Sequence, residues 1–250
     1  MIILTALAVI AAGFAAGAVN TIVGSGSLIT YPVMVFFGVP PVTANIANTI
    51  GLVPGSVAGA WGYRKRLKGM LRLLLRLGIV SLLGAIVGAV LLTQLPSTAF
   101  KLAVPVLILA AALLVGLQPK IAAHTQGGGR TRLGQLTFWV FLASVYGGYF
   151  SAAQGVILLG LLGVFLPVGL QEQNAVKNVL QAIVNIVAAV FFVILGHVAW
   201  FYVVCVAIGS VIGAPVGAML AQRIPARPFR IGIVIFGIAM AIVMAILALV

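Results

Sequence analysis

The chain has 250 residues, of which 64% are hydrophobic and only 6% are charged, and its mean hydropathy is +1.32. Such a composition excludes a soluble globular domain and makes nucleic acid an unexpected partner, so we predict an integral membrane protein. The chain contains one acidic residue and 14 Lys and Arg residues, which gives a formal charge of +13. This excess has two possible causes: it fixes the membrane topology, or it serves an anionic substrate or anionic lipids.

Apolar stretches long enough to cross the hydrocarbon core recur along the whole chain, without the alternation of barrel strands, so we predict a helical bundle. Each half contains one long segment with a polar interruption, followed by three helices. In the first half these segments are 2–37, 44–62, 70–93 and 98–117. In the second half they are 135–166, 173–196, 198–222 and 228–250. Proline-containing turns separate several of them.

The two halves repeat each other. An offset of 130 residues aligns Gly17 with Gly147 and Asn48 with Asn178, and an offset of 129 aligns "LPSTAFK" with "IPARPFR". One nearly constant offset predicts two homologous membrane repeats. They cover residues 1–117 and 135–250, and residues 118–134 form a cytoplasmic connecting loop.

Three basic clusters predict the orientation of the repeats. They are Arg64, Lys65, Arg66, Lys68, Arg72 and Arg76; Lys120, Arg130 and Arg132; and Arg223, Arg227 and Arg230. All three are cytoplasmic only if residues 135–166 enter and leave the membrane on one side as a hairpin. The same reasoning makes residues 2–37 a hairpin, places the N-terminus outside and inverts one repeat relative to the other. Arms of about 15 residues reach roughly 22 Å, so each tip stops inside the bilayer.

The predicted tips are Asn20–Ser27 and Ser151–Gly155, both built from small and polar residues. Irregular backbone at membrane depth is stable only inside protein or facing a water-filled cavity, and broken helices meeting at the midplane are typical of transporter binding sites. A new half-helix begins near each tip, and its first free amides suit an oxyanion. Ser25 and Ser27 would add hydroxyl donors or cap the helix, while Gly24 and Gly26 would admit a ligand. Alternatively, the glycines only permit tight packing.

Asparagine and glutamine side chains form a second pattern. Asn45 and Asn48 lie in one predicted helix, and four residues share one face of another: Asn174, Asn178, Gln181 and Asn185. A polar stripe inside a bilayer must face inward, either bonding helices together or lining a substrate path. Lys177 on that helix either points inward as a fixed charge for an anion or extends to the interface. Glu172 is interpreted as a favourable charge at a helix N-terminus rather than a proton carrier.

Several other patterns predict structure rather than chemistry. Glycines repeat every four residues at Gly51–Gly59 and Gly209–Gly217, which predicts close helix packing. His124 in a loop and His197 in a turn are not expected to be ligands. The chain contains no G-x-S-x-G, H-E-x-x-H or P-loop motif, so we expect neither an intramembrane hydrolase nor an ATP-driven pump.

The stretches "GFAAGAVNTIVGSGSLITYP" and "PPVTANIANTIGLVPGSVAGAWGY" together resemble the first repeat of the TauE/SafE sulfite exporter family. The stretches "SVYGGYFSAAQGVILL" and "QNAVKNVLQAIVN" resemble the second motif of that family. The resemblance spans nearly the whole chain. It implies a carrier of the inner membrane for small sulfur oxyanions such as sulfite, or for organosulfonates such as sulfoacetate, and usually an exporter.

These patterns together predict an all-α, polytopic membrane bundle of two inverted repeats, each a broken helical hairpin followed by three transmembrane helices. We expect a secondary transporter, exporting small sulfur-containing anions across the inner (plasma) membrane by alternating access. The alternative is a passive anion channel or a membrane scaffold without transport. No catalytic residue, metal or cofactor is expected, and the expected partners are a small anion and the lipid bilayer. The expected substrate-binding residues are Asn20, Gly24, Ser25, Gly26, Ser27, Asn48, Ser151, Gln154, Gly155, Lys177, Asn178 and Gln181.

Overall fold

A computed structural model describes residues 2–125, 133–220 and 227–249, and in these ranges the chain forms helices and no strands. The first half contains α1 (Ile2–Ile22), α2 (Ser27–Phe36), α3 (Pro41–Gly62), α4 (Leu71–Gln94) and α5 (Ser97–Thr125), with a short 3-10 helix at Arg64–Leu67 between α3 and α4. The second half contains α6 (Leu133–Phe150), α7 (Gln154–Phe165), α8 (Leu170–Leu195), α9 (Trp200–Leu220) and α10 (Arg227–Leu249). The all-α prediction is confirmed.

Both long segments are broken where the sequence predicts, but their arms are unequal. The arms of the first contain 21 and 10 residues, and those of the second contain 18 and 12. The expectation of about 15 residues in every arm is therefore wrong for α1. Helix α1 continues to Ile22, and the chain turns two residues later at Gly24, whose φ of +86° favours glycine.

Five helices in the described ranges are long and apolar enough to cross a membrane: α1, α4, α8, α9 and the Ser97–Leu117 part of α5. Many of their large apolar side chains lie on the outside of the bundle, such as Ile79 and Ile212, which are 60% and 56% exposed. Outward-facing apolar side chains are stable in contact with lipid tails. Helix α3 has 22 residues and is not among the five, because Asn45 and Asn48 lower its hydropathy.

Small residues bring α1 and α9 into backbone contact. A Cβ atom added to Gly213 would lie 2.0 Å from the carbonyl oxygen of Phe14, and one added to Gly217 would lie 2.4 Å from that of Ala18. Helices α4 and α6 pack in the same way, with Gly88 against the backbone of Val145. The predicted close packing by regularly spaced glycines is confirmed, and it is the usual means of joining helices inside a bilayer.

The helix contacts are symmetric between the two halves. The contact of α1 with α9 in one half corresponds to the contact of α6 with α4 in the other. In the same way, the contact of α3 with α9 corresponds to that of α8 with α4, and the contact of α2 with α10 corresponds to that of α7 with α5. The equivalent helices α3 and α8 also pack on each other. They run antiparallel, because Tyr63 near the end of α3 bonds Asn174 near the start of α8, whereas Ile46 near the start of α3 contacts Gly196 after the end of α8.

We name the two ends of the bundle by their contents. The basic end is where α3 passes into the 3-10 helix and where α4 and α8 begin, and its exposed cations are Arg64, Lys65, Arg66, Lys68, Arg72 and Arg76. The cleft end is opposite, where α3, α5 and α9 begin, and it contains a cleft lined partly by α3 and α5. Helix α10 runs antiparallel to α5, since Gly237 lies against Ala112 and Gly116 against Val234, so α10 begins near the basic end.

The predicted connecting loop is only partly a loop. Helix α5 extends through residues 118–125, so His124 is helical rather than in a loop, and α6 begins at Leu133. The remaining loop residues 126–132, with Arg130 and Arg132, lie outside the described residues, as does Arg223 in the last predicted turn.

Candidate functional site

The two helix breaks contact each other inside the bundle. The amide of Gly155 donates to the carbonyl of Gly24 at 3.1 Å, and the hydroxyl oxygens of Ser27 and Ser151 lie 2.9 Å apart. A Cβ atom added to Gly24 would lie 2.5 Å from the Cα atom of Gly155. All four residues are buried. The structure therefore brings together the two regions that the sequence singles out separately.

Asn48 fixes the start of α2. Its Nδ2 donates to the hydroxyl of Ser27 at 2.9 Å, and its Oδ1 accepts from the hydroxyl of Thr30. Through Ser27 the chain of hydrogen bonds continues to Ser151 of the other half. Thr30 is not among the residues expected at the site, although its position three residues after Ser27 places it on the same face of a short apolar helix.

Lys177 points into the bundle rather than to the interface. Its side chain is 0% exposed, and Nζ donates to the carbonyls of Asn20 at 3.2 Å and Thr21 at 3.3 Å. These carbonyls are at the C-terminal end of α1, which carries partial negative charge and has no helical donors of its own. Gln181, one turn further along α8, donates to Oδ1 of Asn20 at 2.9 Å.

No carboxylate is available to neutralise Lys177. The only acid of the chain, Glu172, lies in the first turn of α8, as expected for a charge at a helix N-terminus. Its Oε1 is 3.6 Å from Nη1 of Arg66 at the basic end. The hydrogen-bond partners of Lys177 are therefore backbone carbonyls alone, and a cationic Lys177 would be a positive charge inside the bundle without a counter-ion from the chain.

Buried polar atoms without a partner accumulate around the breaks. Among the described residues they include Ser25 Oγ, both polar atoms of the Gln154 side chain, Asn178 Nδ2 and Gln181 Oε1. An unsatisfied buried polar atom costs about 1–3 kcal/mol, so a cluster of them needs an explanation. The others are dispersed along the bundle, at Tyr31, Ser81, Ser144, Asn174 and Asn185.

The expectation of free amides at both half-helix starts is wrong for most of them. The amide of Gly26 donates to Asn20 Oδ1 at 3.3 Å, that of Gly155 donates to Gly24, and that of Val156 donates to the carbonyl of Ala153 at 3.0 Å. The contact between the breaks provides acceptors that the sequence does not reveal. In the described part of the chain, the amides of Ser25 and Ser27 at the first break and that of Ala153 at the second have no hydrogen-bond partner.

The two ends of the polar stripe on α8 bond to α3. Asn174 donates to the Tyr63 hydroxyl at 3.0 Å, and Asn185 donates to the Ser56 hydroxyl at 2.8 Å. The middle of the stripe, which contains Lys177, Asn178 and Gln181, is buried. Interhelical bonding thus accounts for the two ends of the stripe. Asn45 also has a bonding role, since it donates to the carbonyl of Tyr149 at 2.9 Å.

Comparison with known proteins gives a consistent result. The sequence profile described as "Sulfite exporter TauE/SafE" matches residues 9–244. A Sinorhizobium protein named "Probable membrane transporter protein ORF9" is 29% identical over 231 residues, covering 92% of this chain and 88% of its own. The Haemophilus influenzae "Probable membrane transporter protein" is 26% identical, covering 83% of this chain and 82% of its own. The Escherichia coli K12 "Probable membrane transporter protein YfcA" is 24% identical, covering 82% and 76%.

No solved structure matches the chain. The profile match extends from α1 to α10 and includes both helix breaks, the α8 stripe and all the membrane-spanning helices. The protein is therefore a multi-pass membrane protein that belongs to the TauE/SafE sulfite exporter family of membrane transporters.

Proposed function

We propose that this protein is a secondary transporter that exports a small sulfur-containing oxyanion, held between the two helix breaks at mid-depth. One observation carries the proposal: unpartnered buried donors surround the contact between the breaks, beside a buried lysine that has no carboxylate. The family description names sulfite, and that name suggests the class of substrate. Organosulfonates present the same group of oxygens to the site.

The chemistry of the site suits an oxyanion. Sulfite and sulfonates have three oxygens that share negative charge and accept hydrogen bonds from several directions. Asn178 Nδ2, Gln154 Nε2 and the Ser25 hydroxyl are free to donate. Hydrogen bonds to a charged group contribute about 1.5–3 kcal/mol each, twice the neutral value, so three donors discriminate well against neutral solutes. Lys177 supplies the balancing positive charge.

The packing of the two halves supports alternating access. The antiparallel contacts of α3 with α8 are those expected of inverted repeats, whose rocking exposes a shared site to each side in turn. At the basic end the halves are joined by the Tyr63–Asn174 hydrogen bond and by the close approach of Arg66 to Glu172. Opening of that end would break both contacts. The cluster of cations there favours a cytoplasmic location in the inner membrane.

The single acid of the chain also restricts the energy source. A proton relay usually uses buried carboxylates, whereas Glu172 lies beside Arg66 at the basic end. We therefore propose export driven by the membrane potential, or coupled through protonation of the anion itself.

Flux of labelled sulfite and sulfoacetate in proteoliposomes tests this proposal. Lys177→Met and Asn178→Leu each remove one contact of the anion, so we expect flux to fall by about 10-fold or more. Asn185→Leu is the matched control, because Asn185 lies on the same helix but bonds Ser56. Equal flux in all variants would contradict the proposed site, and flux that never saturates, with measurable conductance, would indicate a channel.

A further inference from the structure

A cleft of about 610 Å³ lies at the cleft end of the bundle, away from the helix breaks. Three connections border it: those between α2 and α3, between α4 and α5, and between α8 and α9. Its lining includes Thr43, Ile46, Thr93, Thr98, Lys101 and His197. Several hydroxyl groups and a cation thus share one concave surface, which is unusual in a chain that is 64% hydrophobic.

Lys101 makes this cleft positive. Among the described residues, the other exposed cations lie at or near the basic end, and Lys177 is buried between the two ends. The single acid of the chain, Glu172, also lies at the basic end. Cations are normally concentrated on one side of a membrane protein, so a lysine on the opposite side needs its own explanation.

Two residues of the cleft region lie close to the helix breaks. Ile46 on its lining is 2% exposed and precedes Asn48 by two residues of α3, or about 3 Å of helix rise. Beside Lys101, Phe100 is buried, and its ring centroid lies 5.5 Å from that of Tyr149 and 5.8 Å from that of Phe150. Phe150 directly precedes Ser151 of the second break. Only a few aromatic side chains therefore separate the cleft from the breaks.

We propose that this cleft is a second binding site, which takes a small water-borne oxyanion of the class that we propose for the central site. The inference rests on the proposed function for its place on the transport path. Lys101 attracts the anion, and the hydroxyls of Thr43 and Thr98 donate hydrogen bonds to it, whereas the Thr93 hydroxyl donates to carbonyls of its own helix. A lipid phosphate has the same chemistry, but Ile46 of the lining lies two residues from Asn48, so an anion bound in the cleft is close to the proposed central site.

Charge-selective labelling tests the cleft directly. In a Cys205→Ser background, which removes the only cysteine, Thr98→Cys is reacted with a sulfonate-bearing and with a quaternary-ammonium methanethiosulfonate. We expect the sulfonate-to-ammonium rate ratio to be about 10-fold lower after Lys101→Gln, because the lysine attracts one reagent and repels the other. Lys68→Gln, which removes the same charge at the basic end, should leave the ratio unchanged. Sulfoacetate should slow the sulfonate reagent.

Three results would overturn the inference. They are an unchanged ratio in Lys101→Gln, an equal fall in Lys68→Gln, and labelling slowed by phosphatidylglycerol vesicles but not by sulfoacetate, which would make this a headgroup site. Thr43→Cys provides a second reporter if Thr98→Cys does not fold. Labelling requires no flux, so a failed transport assay with intact charge selectivity would contradict the proposed function alone.

Discussion

The two helix breaks occupy equivalent positions in the repeat, yet they differ in how they turn and in what they bond. The first break turns at Gly24, with φ of +86°, whereas the second turns through Ser151 and Ala153, with φ of +22° and +56°. Asn48 beside the first break has both ends of its amide bonded. Asn178, its counterpart beside the second, has a buried Nδ2 without a partner.

The sequence explains this difference. Asn48 bonds Ser27 and Thr30, and at the offset of 130 these two positions are occupied by Ile157 and Gly160. The second half therefore keeps the asparagine but lacks the hydroxyls that would satisfy it. The two halves thus keep the same helix order and an asparagine beside each break, while the turn and the hydrogen bonds around that asparagine differ. We infer that Asn48 holds the structure together, whereas Asn178 leaves a donor for a ligand.

The largest expected effect comes from crowding the contact between the breaks. Gly24→Ala places a methyl group 2.5 Å from the Gly155 Cα atom at a φ that disfavours side chains, so we expect a loss of about 3 kcal/mol or more in stability. Gly38→Ala is the control, since Gly38 has a φ of +83° with open space around it. It should cost only about 1 kcal/mol. Thermal unfolding in detergent measures both, and equal losses would show that the contact is not tight.

Asn48→Leu tests the structural role of the first break. The substitution leaves the hydroxyls of Ser27 and Thr30 without their amide partner, so we expect stability to fall by about 2–3 kcal/mol. At roughly 2–4 °C per kcal/mol for a chain of this size, the unfolding midpoint should fall by about 4–12 °C. A midpoint within 2 °C of wild type, a margin of about 1 kcal/mol, would mean that these hydrogen bonds do not hold α2 in place.

At the second break, a substitution to glycine should stabilise the protein. Ala153 adopts a left-handed conformation with φ of +56°, so Ala153→Gly relieves strain and should stabilise the protein by about 0.5–1 kcal/mol. Ala152→Gly, where φ is not positive, should destabilise it by about the same amount. Unfolding midpoints of the two variants provide the measurement. Destabilisation by Ala153→Gly would contradict the strained geometry of this break.

Glu172→Gln should have the smallest effect. The carboxylate is partly exposed and its contact with Arg66 is 3.6 Å long, so stability should change by less than about 0.5 kcal/mol. Sulfite flux should remain within about twofold of wild type, because Glu172 has no role in proton transfer in the proposed mechanism. A large loss of pH-dependent flux, with folding intact, would instead make it the proton carrier.

The sequence predicts the helical framework well, because it depends on local properties. Apolar length, Pro40–Pro41 and Pro96 place most helix ends within a few residues, although α5 ends eight residues later than predicted, and the internal repeat places both breaks. The inward stripe of α8 follows from its spacing, and Asn174, Asn178 and Asn185 are all buried. These features require no knowledge of which helices touch.

Hydrogen-bond partners between distant segments could not be predicted, because they depend on the packing of the two halves. The bonds from Lys177 to the α1 carbonyls and from Asn174 to Tyr63 join residues more than 100 positions apart. The bond from Gly155 to Gly24 removes an amide that the sequence suggests is free. The cleft beside Lys101 is formed by three separate connections, so it is not visible in the sequence.

Equilibrium binding of labelled sulfoacetate to purified Asn178→Leu, measured together with its unfolding midpoint, tests the central claim most directly. Asn178 Nδ2 has no partner to lose, so we predict binding weakened by about 10-fold or more with an unchanged midpoint. Wild-type affinity in this variant would contradict an anion site between the breaks. A lowered midpoint would contradict it too, because Asn178 would then have a structural role like that of Asn48.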